Sequence, residues 1–353
     1  MVAKKTFSIS MDQESAQKVI LHFNGRLNSD AESLLRSQWQ QFAESDLHSV
    51  IFDLSGLEHI DPAGLMQFMI LITRLQSWEL RLSIRGLQSG MASVIELTGL
   101  AHILQVEQSA QGEKTLPGWS KAVRRADLRK RPQGMVNINM NGRQPTSPHL
   151  GFGRMLLRRY CLTLPDAEIK PSGIMQVWKD NFSDFWPPGN RFYTEAGTIT
   201  PGEIGFLNLR MPGGLILATG VLVSYADETS FSLMTLQGHM FAGWINFSSY
   251  LEDGNIVIEI QALIRPNDLL YELSFLLGFG PRSEDAFWVN ALENLSENFG
   301  LHGNISKTVE LIDARMQWRN FFNIMYNAGL GSTLYLILRP FRWLIKSLSK
   351  KES

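Results

Sequence analysis

The chain has 353 residues, 19% charged and 44% hydrophobic, with a formal net charge of −1; this suits a soluble protein large enough for two cores and excludes disordered and collagen-like chains. A single cysteine, Cys161, excludes an internal disulfide, and the opening MVAKKTFSIS lacks an apolar run of signal-peptide length, so the expected compartment is the cytoplasm. The near-zero total hides a segregation: residues 1–108 hold 8 basic and 12 acidic side chains (−4), 109–148 hold 8 and 2 (+6), 149–312 hold 10 and 18 (−8), and 313–353 hold 7 and 2 (+5).

In chain order, Phe7, Ile9 and Met11 alternate as a strand, and Val19, Leu21 and Phe23 mark a second over 18–24. Ser29 or Asp30 caps a helix to about Ala43, with Leu34, Leu35, Trp39 and Phe42 on one face. VIFDL (Val50–Leu54) has the composition of a strand buried on both faces. A helix from Pro62 to about Trp78, a strand Glu79–Gly86 and a helix near Ser89–Leu97 complete an α/β sandwich over 1–108. Residues 109–148 are rich in Gly, Pro, Arg and Lys and poor in large apolar side chains, the composition of a basic linker.

Five strands in succession follow, over 204–210, 215–226, 229–237, 240–252 and 255–265. In the last, Ile256, Ile258, Ile260, Ala262 and Ile264 share one face, and Glu259, Gln261 and Arg265 the other. A helix from about Ser283 to Phe299 carries an apolar stripe of Phe287, Trp288, Ala291, Leu292, Leu295 and Phe299. Residues 149–312 are therefore expected to form an α+β domain with a long helix across a curved antiparallel sheet.

Motifs that carry chemistry are few. The seven histidines are scattered without ligand spacing, and no phosphate loop, dinucleotide fingerprint or nucleophile elbow occurs. No catalytic residue, metal or cofactor is assigned. Nucleic acid is not expected either: Trp119 is the one aromatic neighbour of the linker cations, so base stacking has no platform.

Three stretches together, Val19–Asp30, Val50–Leu65 and Leu80–Leu104, resemble a STAS domain, the fold of the anti-sigma factor antagonists. In those proteins the loop matching Asp61-Pro62-Ala63-Gly64 has serine or threonine second, and its phosphorylation disrupts docking. Pro62 has no hydroxyl, so the resemblance implies a loop that docks a protein partner without that switch. Asp61 suits a helix cap and Pro62 a first helical turn. Ser55 and Ser89 are the nearest other hydroxyls considered for a switch.

Thr235–Gly300 resembles uncharacterised domains of the START-like (helix-grip, SRPBCC) superfamily. That resemblance implies a cavity between sheet and helix for an apolar small molecule or lipid. Trp244, Phe247, Phe287, Trp288 and Leu292 are candidate walls, and His239, which follows Gly238 in a turn, and Arg265 are candidate polar groups.

Near the end, Arg339, Arg342, Lys346 and Lys350 recur at helical spacing opposite Ile337, Phe341, Leu344, Ile345 and Leu348. A basic amphipathic helix of this kind lies on anionic membranes. Residues 320–338 hold no charge, close to a span in length, yet Asn320, Asn323 and Asn327 interrupt them. The expectation is a non-enzymatic binding protein, cytoplasmic and peripheral on the inner face of a membrane. The alternative is a cyclase- or hydrolase-type enzyme acting on a hydrophobic substrate, with Glu203, Glu259 and His239 as loose acid–base candidates.

Overall fold

The computed structural model describes residues 6–42, 46–107, 115–126, 134–136, 139–165, 168–211 and 214–349, excepting the side chains of 39, 41, 279, 281 and 339–349. Its N-terminal part has the element order expected. Strands β1 (Ser8–Ser15), β2 (Lys18–Leu27), β3 (Ser49–Ile60), β4 (Arg81–Arg85) and β5 (Gln105–Val106) lie side by side in that order, the first pair antiparallel and the rest parallel. Helices α1 (Glu32–Phe42), α2 (Pro62–Gln76) and α3 (Ser89–Leu97) connect them. Strand β3 runs past the expected end at Leu54. Its pairing with β2 slips at Asn24, where a Cβ on Gly56 would lie 1.9 Å from the Asn24 Oδ1, so a larger residue there would have to displace the Asn24 side chain.

The C-terminal part is one antiparallel sheet of eight strands, ordered β13-β6-β12-β11-β10-β9-β8-β7. The strands anticipated from sequence are β8 (Ile204–Arg210), β9 (Ile216–Ala226), β10 (Ser230–Thr235), β11 (Phe241–Glu252) and β12 (Asn255–Pro266). Three were not: β6 (Met155–Leu164), β7 (Arg191–Tyr193) and β13 (Asn304–Asp313). Helices α4 (Pro171–Asp180) and α6 (Phe279–Asn298) cover one face, and the short α5 (Leu269–Leu276) precedes α6. Beneath them Ile256, Ile258 and Ile260 pack with Trp178, Trp288, Leu292 and Leu295 around a stacked Phe231–Phe247 pair, 4.5 Å between centroids.

The opposite face of this sheet, which carries Glu259, Gln261 and Arg265 on β12, is covered as well. Met155, Leu157, Leu222, Trp244, Leu263 and Ile312 belong to one apolar core that also contains Phe23, Phe52 and Phe68 of the N-terminal sandwich. Glu259, Gln261 and Arg265 are correspondingly buried. The Arg265 Nη atoms donate there to the carbonyls of Gly153 and Arg315 and to Asp313 at 2.8 Å. Polar links cross the same seam. Arg159 pairs with Glu32, and Arg36 and Arg74 both reach Glu310, at 3.2 and 3.1 Å. Thr73 meets His149 Nε2 at 2.9 Å, and burial depresses His149 to about 3, which favours the neutral imidazole.

The connecting segment also departs from expectation. Among its described residues, Trp119, Ala126, Met135 and Met140 are buried in the shared core, Trp119 bridges Tyr225, and Thr146 N–H donates to Thr235 at 2.8 Å. A few well-spaced large side chains suffice to hold these described residues in place, because the apolar surface they cover belongs to the domains on either side. A continuous core of this kind predicts one cooperative thermal transition, with calorimetric and van't Hoff enthalpies equal. Two resolved transitions by calorimetry would contradict it.

Candidate functional site

Two places bring chemistry-bearing groups together. The first is a cavity of about 170 Å³ between the helix-covered face of the large sheet and α5 and α6. Its apolar walls come from Phe182 and Trp186 after α4, Leu207 and Leu209 of β8, Val221 of β9, Leu233 of β10, Phe241 and Ile245 of β11, Ile264 of β12, and Phe287 and Trp288 of α6. A larger groove of about 320 Å³ beside the end of α4 has polar walls already engaged with one another, as in Thr198–Asp180.

Polar groups enter the apolar cavity at a few points. Thr235 and Asn190 are saturated by backbone partners. His239 is buried, where its place in a turn pointed to exposure; its Nδ1 accepts the Phe241 amide at 3.0 Å, so the neutral ring carries its hydrogen on Nε2. Burial holds His239 down to about 4. Glu284, which sequence reasoning passed over, also lines the cavity, and its side chain is 7% exposed. One oxygen accepts from Arg158; the other, Oε1, is buried without a partner. Burial raises Glu284 to about 7 against the pull of Arg158. Arg158 is shared with Asp285, which Tyr160 and Lys307 also bind, so the guanidinium does not fully compensate Glu284.

Of the residues expected at this site, His239, Phe287 and Trp288 line the cavity; Trp244, Phe247, Arg265 and Leu292 do not. Trp244 and Phe247 are three apart in β11, and side chains alternate across a strand, so they occupy opposite faces. Trp244 faces the shared core and Phe247 the helices. Arg265 is out of phase with Ile264 for the same reason. Leu292 sits one turn further along α6 than Trp288, inside filled core. Glu259 lies on the far face bonded to Gln261, and Glu203 is outside the cavity walls. Cys161 is no nucleophile: burial, reinforced by Glu259, pushes its thiol up to about 12. Among the described residues no group of three His, Cys, Asp or Glu side chains is placed to hold a metal.

The second place is the start of α2. Asp61 caps the helix by accepting the Gly64 amide at 2.8 Å, and Pro62 occupies the first turn, as its residue type dictates. The loop is not open to a partner, however. Pro62 and Gly64 are buried, and the Trp119 indole donates to the Ile60 carbonyl at 2.8 Å. Tyr225 stacks edge-on against Trp119, with 5.1 Å between centroids, and binds Asp227, whose charge is felt by Asp61. Of the residues expected to dock another protein, Pro62 and Gly64 are buried and Asp61 and Ala63 half-buried, with Trp119 of the connecting segment and Tyr225 of β9 packed beside them. Ser55 donates to Asp53 Oδ1 at 2.6 Å, a structural role at the strand.

Of the four expected membrane-facing cations, Lys350 lies outside the described residues, and Arg339, Arg342 and Lys346 are described as backbone of α7 (Ala328–Ser349) alone. The stretch Trp318–Leu338 is long and apolar enough to cross a membrane by composition, at mean hydropathy 1.2. Its asparagines tie it to the protein body instead. Asn320 donates to Gly151 and His149, Asn323 to Leu150 and Asn267, and Asn327 to Asp268.

Comparison with known proteins bears on the first half. The STAS domain family matches residues 10–112, so this part of the chain carries a STAS domain. No curated protein matches the chain. Similar solved structures include the Bacillus cell fate determinant SpoIIAA in the phosphorylated form (15% identity over 29% of this chain and 92% of that one, TM-score 0.26). The di-domain ARO/CYC StfQ from the steffimycin biosynthetic pathway is 13% identical over 42% of this chain and 52% of that one, TM-score 0.33. Protein Ms6760 from Mycobacterium smegmatis is 13% identical over 40% and 89%, TM-score 0.31.

Two outcomes are expected at the sealed loop. Burial raises Asp61 to about 6 from an ordinary 3.8, so its contribution to stability is greatest below pH 4 and is lost as pH rises through 6. Asp61→Asn keeps the cap and removes the charge; it should be more stable than wild type at pH 7, by about 2–3 kcal/mol, and the two should converge at pH 4. Equal melting at both pH values would contradict this. Trp119→Phe leaves the Ile60 carbonyl unpaired, which costs about 1–2 kcal/mol and should raise amide exchange at Ala63 and Gly64.

Proposed function

We propose that this is a non-enzymatic binding protein in which a STAS domain is joined to a START-like, helix-grip body holding an apolar small molecule or lipid at a membrane surface. The observation that carries the reading is the apolar cavity of about 170 Å³ between the sheet and α6. Its size is that of a small ring compound or part of an acyl chain; voids of about 150 Å³ lined by aliphatic and aromatic groups take up benzene. An eight-stranded antiparallel sheet with a 20-residue helix against one face supports the helix-grip assignment. Glu284 and His239 would fix the orientation of an occupant bearing one hydroxyl or amine, the usual economy of polar groups in such pockets.

Within this reading the STAS domain clasps its own chain through the α2 terminus. A protein partner must then meet another of its surfaces, or displace the clasp. The basic helix α7 would hold the molecule on the inner face of an anionic membrane.

Extraction of purified protein followed by mass spectrometry tests the proposal. A retained, unmodified apolar compound supports it, and failure of any apolar compound to bind would sink it. Trp288→Ala, which removes a wall, should change the retained compound or loosen it at least tenfold. If the space is simply filled core, the same change instead lowers stability by about 3–5 kcal/mol with nothing bound to lose.

One observation favours an enzyme as second reading: a carboxyl near pH 7 with a free oxygen, in a cavity shared with a neutral imidazole, is placed for proton transfer. On that reading a hydrophobic substrate incubated with the protein would be converted, and Glu284→Gln would abolish conversion while sparing binding.

A further inference from the structure

Helix α5 presents Leu270, Leu273, Leu276 and Leu277 to solvent, the last 71% exposed. Beside it the 3-10 stretch Trp318–Tyr326 exposes Phe322 and Met325, at 75% and 77%. The two elements are knitted together. The Asn323 amide donates to the Asn267 carbonyl, Asn327 donates to Asp268, and the amide of Gly329 at the start of α7 donates to Tyr271 Oη at 3.0 Å. The asparagines hold their side of this stretch against the protein and so turn its aromatic and thioether side chains outward. A soluble monomer does not ordinarily leave this much contiguous apolar surface bare.

The charge around this surface identifies what covers it. The acids of α5 are withdrawn: Asp268 is fully buried as the helix cap, and Glu272 is buried and paired with Arg154 at 2.9 Å. Arg282 and Arg319 are exposed at its margins, and residues 314–349 contain no Asp or Glu. An apolar face whose exposed charges, among the described residues of α5, Trp318–Tyr326 and the start of α7, are cationic, on a body otherwise carrying −8 over 149–312, complements an anionic bilayer and not a second copy of its own acidic surface.

The surface also backs directly onto the cavity. Ser274 and Gly280, at either end of the α5–α6 turn, are cavity walls. The Ala328 amide donates to Gly238, next to His239 and Phe241 of the opposite wall, and a Cβ on Gly238 would lie 2.1 Å from the Tyr326 carbonyl. We propose that α5, the Trp318–Tyr326 stretch and the start of α7 form one surface that docks on an anionic bilayer, inserting the α5 leucines, so that the cavity behind it exchanges its occupant with the lipid phase. The docking stands on the surface alone; the exchange rests on the apolar-ligand reading above.

The test uses the full chain with vesicles of phosphatidylcholine, with and without phosphatidylglycerol. Leu273→Glu with Leu277→Glu changes two exposed side chains, so folding should persist, as circular dichroism would show. Partitioning onto phosphatidylglycerol vesicles should fall about tenfold or more. Binding of phenylnaphthylamine in lipid-free solution should be unchanged, while its transfer from vesicles to the protein slows in step with partitioning. Unaltered partitioning of the double variant would overturn the docking surface. A lipid-free dimer, seen by light scattering and dissolved by the same substitutions, would overturn it in favour of a second copy. Loss of phenylnaphthylamine binding in every form, with docking intact, would overturn the exchange and the ligand reading together while the docking surface stands.

Discussion

Everything in this molecule depends on where the second face of the eight-stranded sheet is buried. An antiparallel sheet with helices on one side ordinarily gives its other side to water, but here that side carries Met155, Leu157, Leu222, Trp244 and Leu263 and needs an apolar cover. The STAS domain supplies it with α2, whose Leu65, Met66, Phe68, Met69, Ile70, Leu71 and Ile72 are all buried. One side of α2 packs on its own sheet and the remainder toward β13 and β6. The seam fixes the rest: the burial of Arg265 and Glu259, the neutrality of His149, and the closure of the α2 terminus by Trp119 and Tyr225.

Much of this was legible in the residues. The alternation of Ile256 to Ile264 set the helix-facing side of β12, and the order of STAS elements followed from short apolar runs between capped helices. Other features were legible and were missed. PAGLMQFMILITRLQ is apolar over most of its circumference, which marks a helix buried on more than one side, and its second buried side was not drawn from the sequence. Grouping Trp244 with Phe247 ignored the two-residue period of a strand. Strand β6 interleaves Arg158 and Arg159 with Leu157, Tyr160 and Leu162, and β13 is mostly polar at an edge, so neither shows the run that announces a strand. Glu284 was not legible: a glutamate in the first turns of an amphipathic helix reads as solvated, and its burial comes from Arg158, 126 residues away in sequence.

The two candidate sites are opposites in their use of solvent exclusion. At the α2 terminus, exclusion buries Pro62 and Gly64, and Pro62 offers no oxygen to which a phosphate could attach. In the cavity, exclusion leaves space and raises the cost of charge, so a carboxyl that would be ionised on the surface titrates near neutrality. A single physical term, desolvation, therefore silences one region as an interaction loop and sharpens the other as a recognition site.

Strand β6 is paired on one side with β12 and on the other with β13, the last strand of the sheet. A ribosome delivers the STAS domain early, and the outer side of α2 then waits for strands that end at Asp313. At ordinary elongation rates that interval is on the order of ten to forty seconds. Throughout it the nascent chain displays an uncovered apolar helix, longer than most domains take to fold. The architecture therefore lengthens, during synthesis, the exposure of a face of the kind that aggregates.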